Sequence, residues 1–363
     1  MRFTPLLFAI GAAAAVLPRD EPAVAAEAMP GSKASARLED QKPIDGGIKK
    51  TIKYNPVKLA PNGMINANIP APEAPCTDCF VTAVQANLMY QDGSEANVDT
   101  GAWLHHIVLS GSPFPGMLWA AGNERPNLRL NTVHKYGFDF PKGMKFGINV
   151  DLMSNAMQEK TVTLVLDFEY LPKSNATGYK ASYMHWNSIG SPKAKEGVYS
   201  FTAANWTSTV SGQLLYAIGH MHDGGTNSRL YINNKEVCRS VMIYNARPHY
   251  TVTKENQAKN MEGSEMGGME GMEGMEGMEH EDAEGETDHG HAAGSASGGE
   301  APPAPAVEWH ISDPGLCENF GTIKKGDVMR YEAEYNATKY GLMMHDGEPE
   351  ALMGNMRVYI GPE

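Results

Sequence analysis

The sequence predicts an all-β protein made of two consecutive β-sandwich domains, and three observations carry that expectation. Short runs rich in β-branched residues recur along the chain, they are divided by Gly, Pro, Asn and Asp, and a polar break near the middle separates an earlier set from a later one. A length of 363 residues suits roughly two domains of ordinary size. Hydrophobic residues make up 42% and aromatics 8%, enough for sizeable cores, while no stretch approaches the ~20 apolar residues of a spanning helix. No membrane insertion is expected.

Met1-Arg2, an apolar run from Leu6 to Leu17 and small residues around Ala25-Ala26 have the order of a secretory signal, over about residues 1–26. The end at Gly361-Pro362-Glu363 has no apolar tail of the kind that precedes a lipid anchor. The mature protein is therefore expected to be secreted, free in the extracellular space or cell wall. Residues 27–50, rich in Lys, Asp, Ser and Gly without periodicity, read as a flexible lead-in.

The first domain, over 51–180, holds strand-like runs at Phe80 to Val84, Leu104 to Leu109, Lys145 to Val150 and Thr161 to Leu166. Segment 171–195, with Pro172, Asn175, Gly178, Gly190 and Pro192, breaks the pattern. The second domain, over 181–363, resumes with Leu214 to Ile218, Arg229 to Ile232, Val237 to Tyr244, Val328 to Tyr335 and Met356 to Ile360. An insertion at 255–307 interrupts it, with Met269, Met272, Met275 and Met278 in Gly-Met-Glu triplets, then His280, His289 and His291. So acidic and Gly-rich a composition cannot offset its ordering entropy by burial, so disorder is expected there. The thioethers and imidazoles could collect copper ions; the repeats could equally be solubilising filler.

The net charge of -13 belongs to that insertion. Residues 261–300 hold 12 acidic side chains and no basic ones, leaving 31 acids against 30 bases elsewhere. The near-neutral body has no basic footprint for nucleic acid or an anionic membrane.

Secretion gives meaning to two further sets of residues. Asn175, Asn205 and Asn336 each head an Asn-x-Thr sequon and read as glycosylation sites. Cys76, Cys79, Cys238 and Cys317 form an even set with three possible pairings, of which Cys76–Cys79 with Cys238–Cys317 is favoured. Zinc at Cys76-x-x-Cys79 would need a second pair at ribbon spacing, which is missing.

Two places suggest metal chemistry. In Ala217-Ile218-Gly219-His220-Met221-His222, side chains two apart on a strand share a face, so His220 and His222 can present both imidazoles to one ion. In Trp103-Leu104-His105-His106-Ile107, adjacent histidines face opposite ways on a regular strand, so joint ligation needs a twist, a bulge or a strand end. No Gly-x-Ser-x-Gly elbow, phosphate loop or His-Glu-x-x-His competes with this reading.

In the order His-His, His-x-His, then a late Met, the chain resembles the copper type II, ascorbate-dependent monooxygenases, the group of peptidylglycine alpha-hydroxylating and dopamine beta-monooxygenases, over about residues 70–360. The resemblance implies two jelly-roll-like sandwiches, each binding one copper, facing each other across a solvent-filled cleft. It implies His105 and His106 on an electron-relay copper, and His220, His222 and Met353 on an oxygen-activating one. Met343, Met344 and Met356 lie near Met353 in sequence, and Met353 is chosen because it enters the final strand as the family's ligand does.

The chain departs from the family pattern at Asp151, which stands where the third relay histidine is sought. Either His134 or His185 substitutes, or the first site is altered. The function so implied is C–H hydroxylation of a small-molecule or peptide substrate with O2, one or two copper ions and a reductant such as ascorbate. The alternative is a non-catalytic surface glycoprotein that keeps the fold for copper sequestration or partner binding.

Overall fold

The computed structural model describes residues 35–113, 116–261, 307–345 and 348–363. The expected signal segment and most of the Met-rich insertion lie outside the described residues. The described chain is dominated by antiparallel strands, in keeping with the all-β expectation.

Two sheets enclose the first core. One is seven-stranded, with the path Ile48–Lys53, Lys160–Pro172, Cys79–Tyr90, Tyr136–Phe140, Lys180–Ala181. The other is four-stranded, in the order Met64–Asn68, Lys145–Ser154, Ala102–Ser112, Gly116–Gly122. Alternation sends Leu164, Leu166 and Phe168 of the first sheet and Ile148, Val150 and Leu152 of the second into one apolar cluster.

Beyond Ser182 the chain builds a second pair of sheets. The five-stranded one follows Tyr183–Ser188, Gly354–Pro362, Gly212–Met221, Leu316–Glu318, and the six-stranded one Val198–Thr202, Val328–Asn336, Gly225–Ile232, Lys235–Tyr244, Ile311–Pro314. Disulfides join Cys76 to Cys79 and Cys238 to Cys317, the favoured pairing; the second ties the two sheets of this half together.

The two halves are not separate beads. In the Gly212–Met221 strand, Leu214, Ala217 and Met221 pack into the second core while Leu215, Tyr216 and Ile218 pack into the first. Its neighbour Gly354–Pro362 does the same, with Met356, Val358 and Ile360 on one side and Tyr359 on the other. These strands are buried on both faces, and each large apolar side chain so covered contributes about 1.5–3 kcal/mol. Polar atoms at the seam are paired as well: the Tyr136 hydroxyl donates to the Pro362 carbonyl at 2.9 Å and Arg357 donates to the Ala120 and Gly219 carbonyls.

Two expectations need correction. Part of the supposed flexible lead-in, residues 35–47, is anchored: Leu38 is buried, its N–H donates to Gln85 Oε1 at 2.7 Å, and Ile44 N–H donates to Glu169 Oε1 at 3.2 Å. Ile48–Lys53 then joins the seven-stranded sheet. Isolated anchors onto buried polar groups leave no periodic trace in a sequence, so composition alone misled.

The first turns of the supposed disordered insertion form a helix, Lys254–Met261, held by Asn260, whose amide donates to Asp99 O at 3.2 Å and whose carbonyl accepts from Met157 N at 2.8 Å. Val307–Trp309 pairs with Thr251–Thr253, so the far end of the insertion returns beside its start.

Replacing Leu38 by Ala should lower the unfolding free energy by about 2–5 kcal/mol in denaturant titrations, the range for a large-to-small change in a packed site. An unchanged midpoint would mean that the segment is loose in solution.

Candidate metal centre

The adjacent histidines reach one side of their strand through a bulge. Against Lys145–Ser154, Leu104 lies opposite Leu152 and His106 opposite Asp151, leaving His105 as the extra residue. Leu104 and Ile107 therefore both enter the core, and His105 and His106 both turn outward, their rings stacked at 4.0 Å between centroids. The imidazoles of the second half arrive by plain alternation. Tyr216 and Ile218 face the first core, His220 continues that face near the strand's end, and His222 follows one residue past the end.

Because the five-stranded sheet is seated on the first half, these imidazoles meet. His106 Nε2 lies 3.1 Å from His220 Nε2, and the ring centroids of His105 and His222 are 5.3 Å apart. His105, His106 and His222 offer ligand atoms all within 4.8 Å of one another. The pairs expected across an open cleft thus form a single cluster, because the shared core leaves no gap between the halves at this point.

Carboxylates ring the cluster. Asp151 Oδ2 lies 3.6 Å from His105 Nδ1 and 3.5 Å from His106 Nδ1, so the residue found where a histidine was sought sits beneath both imidazoles. Glu350 Oε2 lies 3.8 Å from His105 Nε2 and 3.5 Å from His222 Nδ1. Glu124 Oε1 is 2.8 Å from His220 Nδ1. Burial pushes the Glu124 carboxyl up, but His220 and Arg357 together outweigh it and hold it below the usual range. Burial first, then the nearby His220 and His106, bring His222 down to about 3; burial also lowers His106.

His222 offers the sharpest test of whether this set suits a metal. Its Nδ1 is 2.9 Å from the Ala351 carbonyl, which can only accept, so the proton sits on Nδ1 and Nε2 carries a lone pair. That Nε2 is buried with no hydrogen-bond partner, and His222 is only 6% exposed. Converging imidazole lone pairs with carboxylates behind them are a donor set for copper or zinc.

Three of the four imidazoles, His105, His220 and His222, line a 290 Å³ cavity between the halves. Trp103, Met221, Met261, Met343 and Met344 supply its apolar wall, and Asn123, Asn155, Gln257 and Asn260 its carboxamides. Met353, the expected thioether, is not among the lining residues; its carbonyl accepts the His222 N–H at 3.1 Å, while Met343 and Met344 border the cavity. His134 and His185 do not complete the cluster, and His185 instead stacks on Trp206 at 4.0 Å.

Sequence reasoning passed over Glu124, Glu350 and Arg357, and also His310, which lines the cavity with its Nδ1 at 2.7 Å from Asp223 Oδ2. Nothing local marks such residues; tertiary packing alone brings them in.

The chain is 24% identical over 335 residues to the "Probable copper-dependent oxygenase M1" of Phoma sp., a match covering 86% of this chain and 72% of that protein. It is 23% identical over 296 residues to the "Probable copper-dependent oxygenase clz3" of Cochliobolus lunatus, covering 76% and 78%. Both relatives support a copper-oxygenase-like family. Neither name points to the peptidylglycine and dopamine group in particular, and no family profile matches the chain. Among solved structures, the major capsid protein of STIV is similar at a TM-score of 0.36 and 10% identity, covering 86% of this chain and 97% of that one. Among the described residues, no helix is long and apolar enough to cross a membrane.

Gly122 permits the approach of the two halves, since a Cβ there would overlap His220 Cε1 and lie 2.6 Å from Glu124 Oε2. Gly122→Ala should keep the fold by circular dichroism and weaken copper binding by about 10–100-fold in a competitive titration. Unchanged affinity would mean that His220 is not a ligand.

A pH dependence follows from His222. Its pKa falls from an ordinary 6.5 when unfolded to about 3 when folded, so the neutral ring stabilises the fold above about 6.5, and that contribution is lost as pH drops toward about 3. Denaturant unfolding of the metal-free protein should become easier across that window, and His222→Gln should flatten the slope.

Proposed function

We propose that the protein is a secreted copper-dependent oxygenase whose metal is held by His105, His106, His220 and His222. The observation that carries this reading is the meeting of buried imidazoles from two sandwiches at one wall of a cavity. Copper bound there would supply the redox chemistry for hydroxylating a C–H bond with O2 and an electron donor such as ascorbate.

The chain's own residues set the conditions. Glu124 fixes the tautomer and tilt of His220, and the Ala351 carbonyl does the same for His222, so both present Nε2 to the ion. Asp151 adds negative charge beside His105 and His106, which favours the more highly charged oxidised ion. Trp103, Met343 and Met344 shield the site from water and pack against the apolar part of a substrate, while Asn123 and Asn155 offer hydrogen bonds to its polar part.

Two disulfides and sequons on the exposed Asn175 and Asn205 fit an oxidising, extracellular setting and a glycosylated product. The third sequon, Asn336, accepts a hydrogen bond from Lys339 N at 3.0 Å, which leaves the amide nitrogen for a glycan.

The test is oxygen uptake by copper-loaded protein with ascorbate, measured polarographically. Uptake should disappear on metal removal, return with copper, and fall by at least about tenfold in His222→Ala. Copper binding without uptake under any reductant would favour the non-catalytic, copper-sequestering alternative.

A further inference from the structure

We infer that the two sandwiches hold one metal ion jointly, with imidazoles from both halves on the same ion, rather than one ion in each half. The inference rests on reading the cluster as a copper site and concerns how many ions it holds and what the ion joins.

The positions of the ring nitrogens make the argument. The carbonyl of Ala351 places the His222 proton on Nδ1, and the Glu124 carboxylate at 2.8 Å places the His220 proton on its Nδ1. Asp151 Oδ2 lies 3.5 Å from His106 Nδ1. The Nε2 atoms of His106 and His220, one from each half, lie 3.1 Å apart, a separation that one proton or one cation can bridge.

The spacing suits a shared ion. Two imidazole nitrogens each about 2.0–2.1 Å from one metal, at angles between square and tetrahedral, lie about 2.9–3.4 Å apart. The observed 3.1 Å falls inside that window. An ion bound through His106 and another bound through His220 would occupy nearly the same point.

Separate ions would require the rings to swing apart. The second half cannot easily withdraw, because Tyr216, Ile218 and Tyr359 are packed in the first core and Arg357 is hydrogen-bonded to the Ala120 and Gly219 carbonyls. His105, brought to the same side by the bulge, and His106 of the first half lie with His222 of the second so that one ligand atom of each falls within 4.8 Å of the others. The ion is therefore a staple between the halves as well as a reactive centre.

The experiment compares copper per chain, by elemental analysis after dialysis against a weak chelator, in the full protein, His106→Ala, His220→Ala and the double variant. Copper held elsewhere on the chain cancels in the differences. A shared ion predicts that each single variant loses one equivalent and the double loses the same one. Loss of two equivalents in the double, one from each single, would overturn the shared ion and leave the copper reading standing. No loss in any variant would overturn both. Circular dichroism checks folding, with His106→Gln and His220→Gln as replacements if an alanine variant unfolds. Independently, copper should raise the melting temperature of the full protein and of neither single variant.

Discussion

Everything at the histidine cluster depends on one sheet being buried on both faces. The strands Gly212–Met221 and Gly354–Pro362 are the outer layer of one sandwich and at the same time a lid on the other. The apolar area that Tyr216, Ile218 and Tyr359 remove from water fixes the distance between the halves. His220 lies two residues beyond Ile218 on the same face, so the packing that joins the halves also aims the imidazole. Because cores are close-packed, a shift of the sheet large enough to open the cluster would expose these side chains together.

Around that frame lies a layer of charge. Asp151, Glu124 and Glu350 are all at least half-buried beside the imidazoles, two of which, His106 and His222, are biased toward the neutral form by burial. Carboxylates so placed are stabilised by hydrogen bonds and by neighbouring positive charge. Arg357 compensates one of them, standing 3.9 Å from Glu124 while also bonded to carbonyls of both halves. The same arginine thus binds the seam and orients the carboxylate that orients His220.

Much of this was legible in the chain itself. Alternation and turn residues marked the strands, spacing marked the histidine pairs, and an even cysteine count in an oxidising setting marked the disulfides. Two further signals were there to be read: the unbroken apolar run Leu214-Leu215-Tyr216-Ala217-Ile218 marks a strand covered on both sides, and Leu104 and Ile107, three apart where a strand would have two, mark the bulge at His105. Glu124, Glu350 and Arg357 were not legible, since an acid or arginine in a polar stretch looks solvated until the fold buries it. Met353 was read from its place in the sequence alone. Sequence position placed it beside the last strand, but its carbonyl serves His222, and the bend after Gly341 carries Met343 and Met344 to the cavity instead.

The distribution of hard and soft groups follows from the same division of labour. The first half contributes Asp151 at the base of its histidine pair, a hard ligand type that favours the oxidised ion. The second half contributes thioethers at the cavity wall, Met343 and Met344, of the type that favours the reduced ion. Under the copper-oxygenase reading, opposite preferences would come from opposite sides of one seam, and the packing that fixes the distance between the halves would set which of these groups stand near the ion.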